Sequence, residues 1–141
     1  MASAAVMAAV RTRLGSEWSR TDVRYPNEQD ADTGLQAPVD GSPFLAVQYP
    51  AALENQITVG APGNNVFREE GAIRFVLQIP RGAGVTEYAG WLDELRASFR
   101  GKQFGGVTTF APSPSVLDDR SEDGNYWALS CAVPYWYDLF A

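Results

Sequence analysis

The chain has 141 residues, a length suited to one domain, and its 45% apolar share with 12% aromatics is enough for a proper core. Its 17 acidic against 11 basic residues give a formal net charge of −6, which argues against a general grip on nucleic-acid phosphates without excluding a protein past which DNA slides. A lone cysteine, Cys131, excludes an internal disulfide and fits a reducing compartment, and the absence of histidine removes the commonest general base and a common zinc ligand.

No stretch approaches the ~18 apolar residues of a membrane span. Arg11 and Arg13 follow the N-terminal apolar run, whereas a secretory signal places its positive charge before it. The expectation is a protein made in a cytoplasm, with no membrane partner.

In chain order, residues 3–14 predict a helix: Ala is the best helix former, and Val6, Val10 and Leu14 share one face, with Gly15 as the stop and Trp18 tucked under the end. Residues 21–26 (TDVRYP) read as a short strand. Residues 27–42 are polar, acidic and rich in turn formers, an unusually long loop for a small domain. A strand at 44–49 (FLAVQY) lies between Pro43 and Pro50, and another at 53–60 centres on Ile57 and Val59. Residues 61–69 form a turn-rich connection.

The strongest signal spans 70–104, EGAIRFVLQIPRGAGVTEYAGWLDELRASFRGKQF. Ile73, Phe75, Leu77 and Ile79 alternate onto one side of a strand, and Ala72, Arg74, Val76 and Gln78 onto the other, a mixed face. Pro80 closes the strand, and Gly82, Ala83 and Gly84 supply a turn. Thr86 is the expected N-cap, and Glu87 suits the helix dipole. Val85, Tyr88, Leu92, Leu95 and Phe99 recur at helical spacing, and Gly101 stands where a left-handed residue ends a helix. Residues 106–110 read as a strand, 116–125 as an acidic turn, and 126–133 (YWALSCAV) as a strand with Trp127, Leu129, Cys131 and Val133 inward. An aromatic tail follows, with Tyr135, Trp136, Tyr137 and Phe140. The order predicts a single α+β domain over 1–141, with a mainly antiparallel sheet, an N-terminal helix and a central helix packed on one face, and long loops.

The residues offer little reactive chemistry. The glycine turn invites a dinucleotide reading, but Glu87 stands where the fingerprint needs a third glycine, and it would repel a pyrophosphate. Residues 119–124 (DRSEDG) resemble half a calcium loop, yet Ser130 occupies the twelfth position where a bidentate Glu belongs. Cys131 alternates with inward residues and reads as a buried thiol. Asp93 and Glu94 read as solvated charges, and the neighbours Asp118 and Asp119 point apart. The expectation is no catalytic residue, metal or cofactor.

The segment order is similar to another pattern. A short N-terminal helix precedes Tyr25-Pro26-Asn27 and a long loop. Paired strands and an R-x-x-G step from Arg68 to Gly71 lead into a strand ending at Pro80, and Gly84 opens a helix ending near Phe99. This resembles the tail-terminator (tail-completion) proteins of long-tailed bacteriophages and related gene transfer agents, over nearly the whole chain. The resemblance implies a non-enzymatic virion protein, assembled in the bacterial host cytoplasm and placed at the tail–neck junction. It implies a hexameric ring that caps the tail-tube protein, stops its polymerisation, and joins the head connector, while DNA passes through the lumen without specific binding. Closed rings need two different complementary faces. The expected interface residues are Arg74, Gln78, Tyr135, Trp136, Tyr137 and Phe140. The expected lumen residues, on acidic loops, are Asp30, Asp32, Asp118, Asp119, Glu122 and Asp123. The alternatives are another neck or head-completion component of the same particle, and a cytoplasmic module binding a small ligand near residues 82–84.

Overall fold

The computed structural model describes residues 1–29, 37, 38, 40–118 and 125–141. Among these residues are two helices and seven strands: α1 Ala4–Glu17, β1 Asp22–Arg24, β2 Phe44–Gln56, β3 Val66–Pro80, α2 Thr86–Phe99, β4 Gln103–Phe104, β5 Val107–Thr109, β6 Val116–Asp118 and β7 Tyr126–Phe140. The sheet runs β1-β2-β3-β7-β5-β4, with β6 paired to β7 beside this path. Among the described pairings only β1 with β2 is parallel, and the rest are antiparallel. The expected α+β class holds.

The frame is three long strands. β3 pairs with β7 along its whole length, from Val66 opposite Phe140 to Pro80 opposite Tyr126. Strand side chains alternate, so this register puts Ile73, Phe75, Leu77 and Ile79 on the same face as Leu129, Cys131, Val133 and Tyr135. These residues share one core cluster with Leu45, Val47 and Tyr49 of β2, Val6, Val10 and Leu14 of α1, and Leu92, Leu95 and Phe99 of α2. Each large aliphatic or aromatic side chain buried there contributes roughly 1.5–3 kcal/mol relative to exposure. Phe75 and Phe99 meet with ring centroids 4.9 Å apart. Arg13 ties the helices together by donating from Nη2 to the Ser98 carbonyl at 2.9 Å.

Several boundaries differ from the sequence expectation. Gly15 does not stop α1, which continues to Glu17, and Trp18 closes it by donating its N–H to the Leu14 carbonyl at 2.9 Å. A helical glycine costs only about 1 kcal/mol, less than the burial of Leu14 and Trp18 on either side of it. In α2, Thr86 is the first helical residue and Val85 occupies the cap position, with no side-chain cap. Gly101 does adopt the left-handed conformation, at φ 59°.

The strands expected at 44–49 and 53–60 are mostly one. β2 passes through Pro50, where its register to β3 shifts between Gln48 and Ala51. Proline is tolerated at such a bulge, and β1 covers only Phe44–Ala46 on the other side. Ile57 and Val59 lie past the strand end, exposed. The aromatic tail is the second half of β7, which runs through Pro134. The Pro134 carbonyl accepts from the Phe110 N–H at 3.0 Å, so its missing donor faces the end of β5 and leaves the β3 ladder intact. The start of the expected acidic turn, at residues 116–118, is β6.

Candidate functional site

The face of the sheet opposite the core carries Arg74 and Gln78. Arg74 is exposed and donates from Nη1 to Gln48 Oε1 at 3.0 Å across the β2–β3 ladder. Gln78 is half-buried. Their neighbours Phe44, Ala46 and Val76 are buried, and Phe44 meets Tyr126 edge-on at 5.4 Å, so this face is partly covered near that end.

The four aromatics of the tail have different fates, because β7 sends alternate residues to opposite faces. Tyr135 points to the core and is 1% exposed, so burial removes it from the exposed surface of the subunit. Its hydroxyl donates to Glu69 Oε2 at 2.6 Å. Burial first, and this carboxylate second, push its pKa upward. The same Glu69 oxygen accepts the Ser3 N–H at 3.2 Å at the start of α1, where a negative charge suits the helix dipole. Tyr137 is half-buried against the core.

Trp136 and Phe140 point the other way. Trp136 is 39% exposed, with the Arg68 guanidinium 4.1 Å above its ring and Phe110 edge-on at 4.9 Å. Arg68 is itself fixed by a two-pronged bond to Asp138, at 2.7 and 3.1 Å. Trp136 is therefore a large side chain held in one orientation, the type that anchors protein contacts. Phe140 is 67% exposed.

Of the acidic loop residues, Asp118 ends β6 opposite Ala128. Asp30, Asp32, Asp119, Glu122 and Asp123 lie outside the described residues, as does the 119–124 calcium-like stretch. Among the described residues no three metal-ligating side chains gather. Burial pushes the Cys131 thiol up to about 11, so it is protonated at neutral pH. Asp93 and Glu94 are exposed, as expected, and bond Arg96 and Arg20. The glycine turn at 82–84 is exposed, with Gly82 and Gly84 both at φ 85°.

The sequence reading missed the apolar end of the β2–β3 hairpin as a surface. Leu53, Ile57 and Val59 are all exposed, Val59 by 82%. The alternation of Ile57 and Val59 was its signal, but the same alternation describes an internal strand.

What these residues build is a set of surfaces on an α+β frame: a fixed Arg–Trp–Phe cluster, an apolar hairpin end and a mixed sheet face. The family model described as phage tail terminator protein matches residues 5–135, and the chain belongs to that family. Its class is a structural tail-completion protein of a phage particle. A solved chain that carries no descriptive name is similar in fold, with a TM-score of 0.60 at 19% identity, covering 100% of this chain and 98% of that one. A search of curated proteins gave no match.

Proposed function

We propose that this chain is the ring-forming tail terminator of its particle. It closes on itself head to tail, as a hexamer, caps the last ring of tail-tube protein and stops its polymerisation. The exposed end of the ring then receives the head connector. Family membership over residues 5–135 carries this reading. Unlike surfaces on one subunit, the Trp136 cluster and the hairpin end among them, support it, because a ring needs faces that complement each other without being identical.

The chain works here without catalysis or cofactor. The net charge of −6 suits a channel for DNA, since acidic loops offer no cation to displace the counterions of the phosphates. The lumen side of the ring is assigned to residues 27–42 and 111–125.

Removing this gene product and imaging the particles by electron microscopy tests the function. Tails of uncontrolled length, or tails that never join heads, are expected. Particles of normal length and assembly would overturn it. A ring structure with both acidic loops on the outer rim would overturn the lumen assignment alone.

A further inference from the structure

Two ends of the sheet carry exposed charges that the subunit leaves unsatisfied. At one end is β2. From Val47 onward its outer edge has no strand partner among the described residues, because β1 pairs only with Phe44–Ala46. On this end Glu54 lies directly opposite Glu69 in the β2–β3 register, and Leu53 lies opposite Glu70. Like charges directly opposed across strands are destabilising. Glu69 is buried and bonded to Tyr135, so it cannot swing away from its neighbour. Glu54 is exposed, and among the described residues its side chain makes no ion pair or hydrogen bond. Glu70 points to the opposite face, where Arg68 attracts it.

At the other end is β4, the last strand on the sheet path. The chain enters it from α2 through Arg100, Gly101 and Lys102. Arg100 and Lys102 are exposed and have no ion-pair partner among the described residues. The hairpin that follows, residues 103–108, lines a shallow concavity of about 360 Å³. The exposed apolar side chains Leu53, Ile57 and Val59 flank the acidic end.

We propose that the acidic edge of β2, residues 53–59, docks against residues 100–106 of a second copy of this chain. Glu54 faces Arg100 and Lys102 of that copy, and Ile57 or Val59 seats in its 103–108 concavity. Charge complementarity selects the occupant: the unpaired Glu54 lies along one open edge of the sheet, and Arg100 and Lys102 lie at the opposite edge. The contact is head to tail, so each copy uses both ends, and both strand edges are covered. This assignment rests on the ring reading and specifies which surfaces close the ring.

Lys102 is the sole lysine in the sequence, which makes the test specific. A carbodiimide couples an amine to a carboxylate in direct contact, expelling the activated carboxyl's leaving group as a urea. Full-length protein at high concentration is treated with the carbodiimide alone, separated by size and digested for mass spectrometry. Covalent multimers are expected, with peptides joining Lys102 to Glu54. Glu54→Lys is expected to lower the multimer yield about fivefold, the upper range for one exposed ion pair. Glu54→Lys combined with Lys102→Glu restores it through the swapped pair, a recovery that a folding defect would not give. Coupling of Lys102 to other carboxylates of a second copy overturns the contact. So does the absence of multimers. If mass photometry meanwhile shows a defined multimer of untreated protein, the ring reading stands and only this contact falls.

Discussion

Glu69 is the residue on which the most structure converges. It is a buried carboxylate on a central strand, and the Tyr135 hydroxyl and the Ser3 N–H together bind its Oε2. Those two donors come from β7 and from the start of α1, so one side chain links three elements distant in sequence. Gly71 makes room for the arrangement. A Cβ there would stand 2.5 Å from the Ala51 carbonyl oxygen and 2.8 Å from the Tyr135 hydroxyl. Tyr135→Phe keeps the ring and removes the donor, leaving the Glu69 carboxylate with one backbone N–H. Leaving a buried charged acceptor short of a partner costs about 1–3 kcal/mol. Urea denaturation is expected to show that loss as a lower midpoint with an unchanged slope. Adding Glu69→Gln to Tyr135→Phe recovers part of it, because a neutral amide is cheaper to bury than a carboxylate. A Tyr135→Phe protein as stable as the parent would contradict this account of the pair.

Among the elements, the register of β3 on β7 explains both what could be read from the chain and what could not. Ile73, Phe75, Leu77 and Ile79 alternate cleanly, and the helical spacing of Leu92, Leu95 and Phe99 is equally clear. These residues form the core as expected. β7 was legible only to Val133, because beyond it Trp136 and Phe140 are apolar yet face outward, which erases the alternation. Pro50 and Pro134 read as strand ends because proline lacks a donor. Where each donor would point is a tertiary fact, and here it points away from the long ladder or falls at a bulge. The candidate interaction surfaces were less legible still, since Arg68, Phe110 and Trp136 come together only once the strands are paired. The Arg68–Asp138 cross-strand pair at this end leaves a trace in the pH dependence of stability. Its hydrogen bond to Arg68 holds Asp138 below the ordinary 3.8. A carboxylate whose folded pKa is depressed stabilises the fold above its unfolded pKa and loses that contribution as pH falls through the folded one. Asp138→Asn should therefore be less stable than the parent at neutral pH, by no more than about 1 kcal/mol because the pair is partly exposed. The difference should shrink as pH is lowered from about 5 to about 2. Thermal melts at a series of pH values measure it, and a difference constant across that range would remove the pair as its source.

At the scale of the whole molecule, the core and the proposed assembly surface separate in space. The helices cover the sheet around Ile73, Phe75, Cys131 and Val133, and the core lies there. The β2–β3 hairpin extends past that cover, and residues 57–65 at its tip contain exposed apolar side chains and no core-cluster member. The tip is held by bonds of its own. Ile57 donates its N–H to the Val66 carbonyl at 2.8 Å, Asn65 and Ala141 exchange backbone bonds at 2.9 Å, the Thr58 hydroxyl accepts the Val66 N–H at 2.8 Å, and Asn65 Oδ1 accepts the Ala61 N–H at 3.1 Å. Replacing 57–66 by an Asn-Gly turn joins Gln56 to Phe67, which already face each other, with a sequence that favours the twist of paired strands. The melting temperature is expected to fall by no more than about 2–4 °C, the shift produced by roughly 1 kcal/mol in a chain near this size. Particles made with the shortened protein should nevertheless show overlong or headless tails, because the surface assigned to assembly is gone while the frame remains. A core truncation such as Leu92→Ala gives the necessary contrast. It removes a fully buried side chain, costs about 2–5 kcal/mol, and acts by lowering the amount of folded protein. The two variants are told apart by adding more protein: extra Leu92→Ala chain restores tail length, and extra shortened chain does not. Normal particles from the shortened protein at parental abundance would place the assembly surface elsewhere on the subunit.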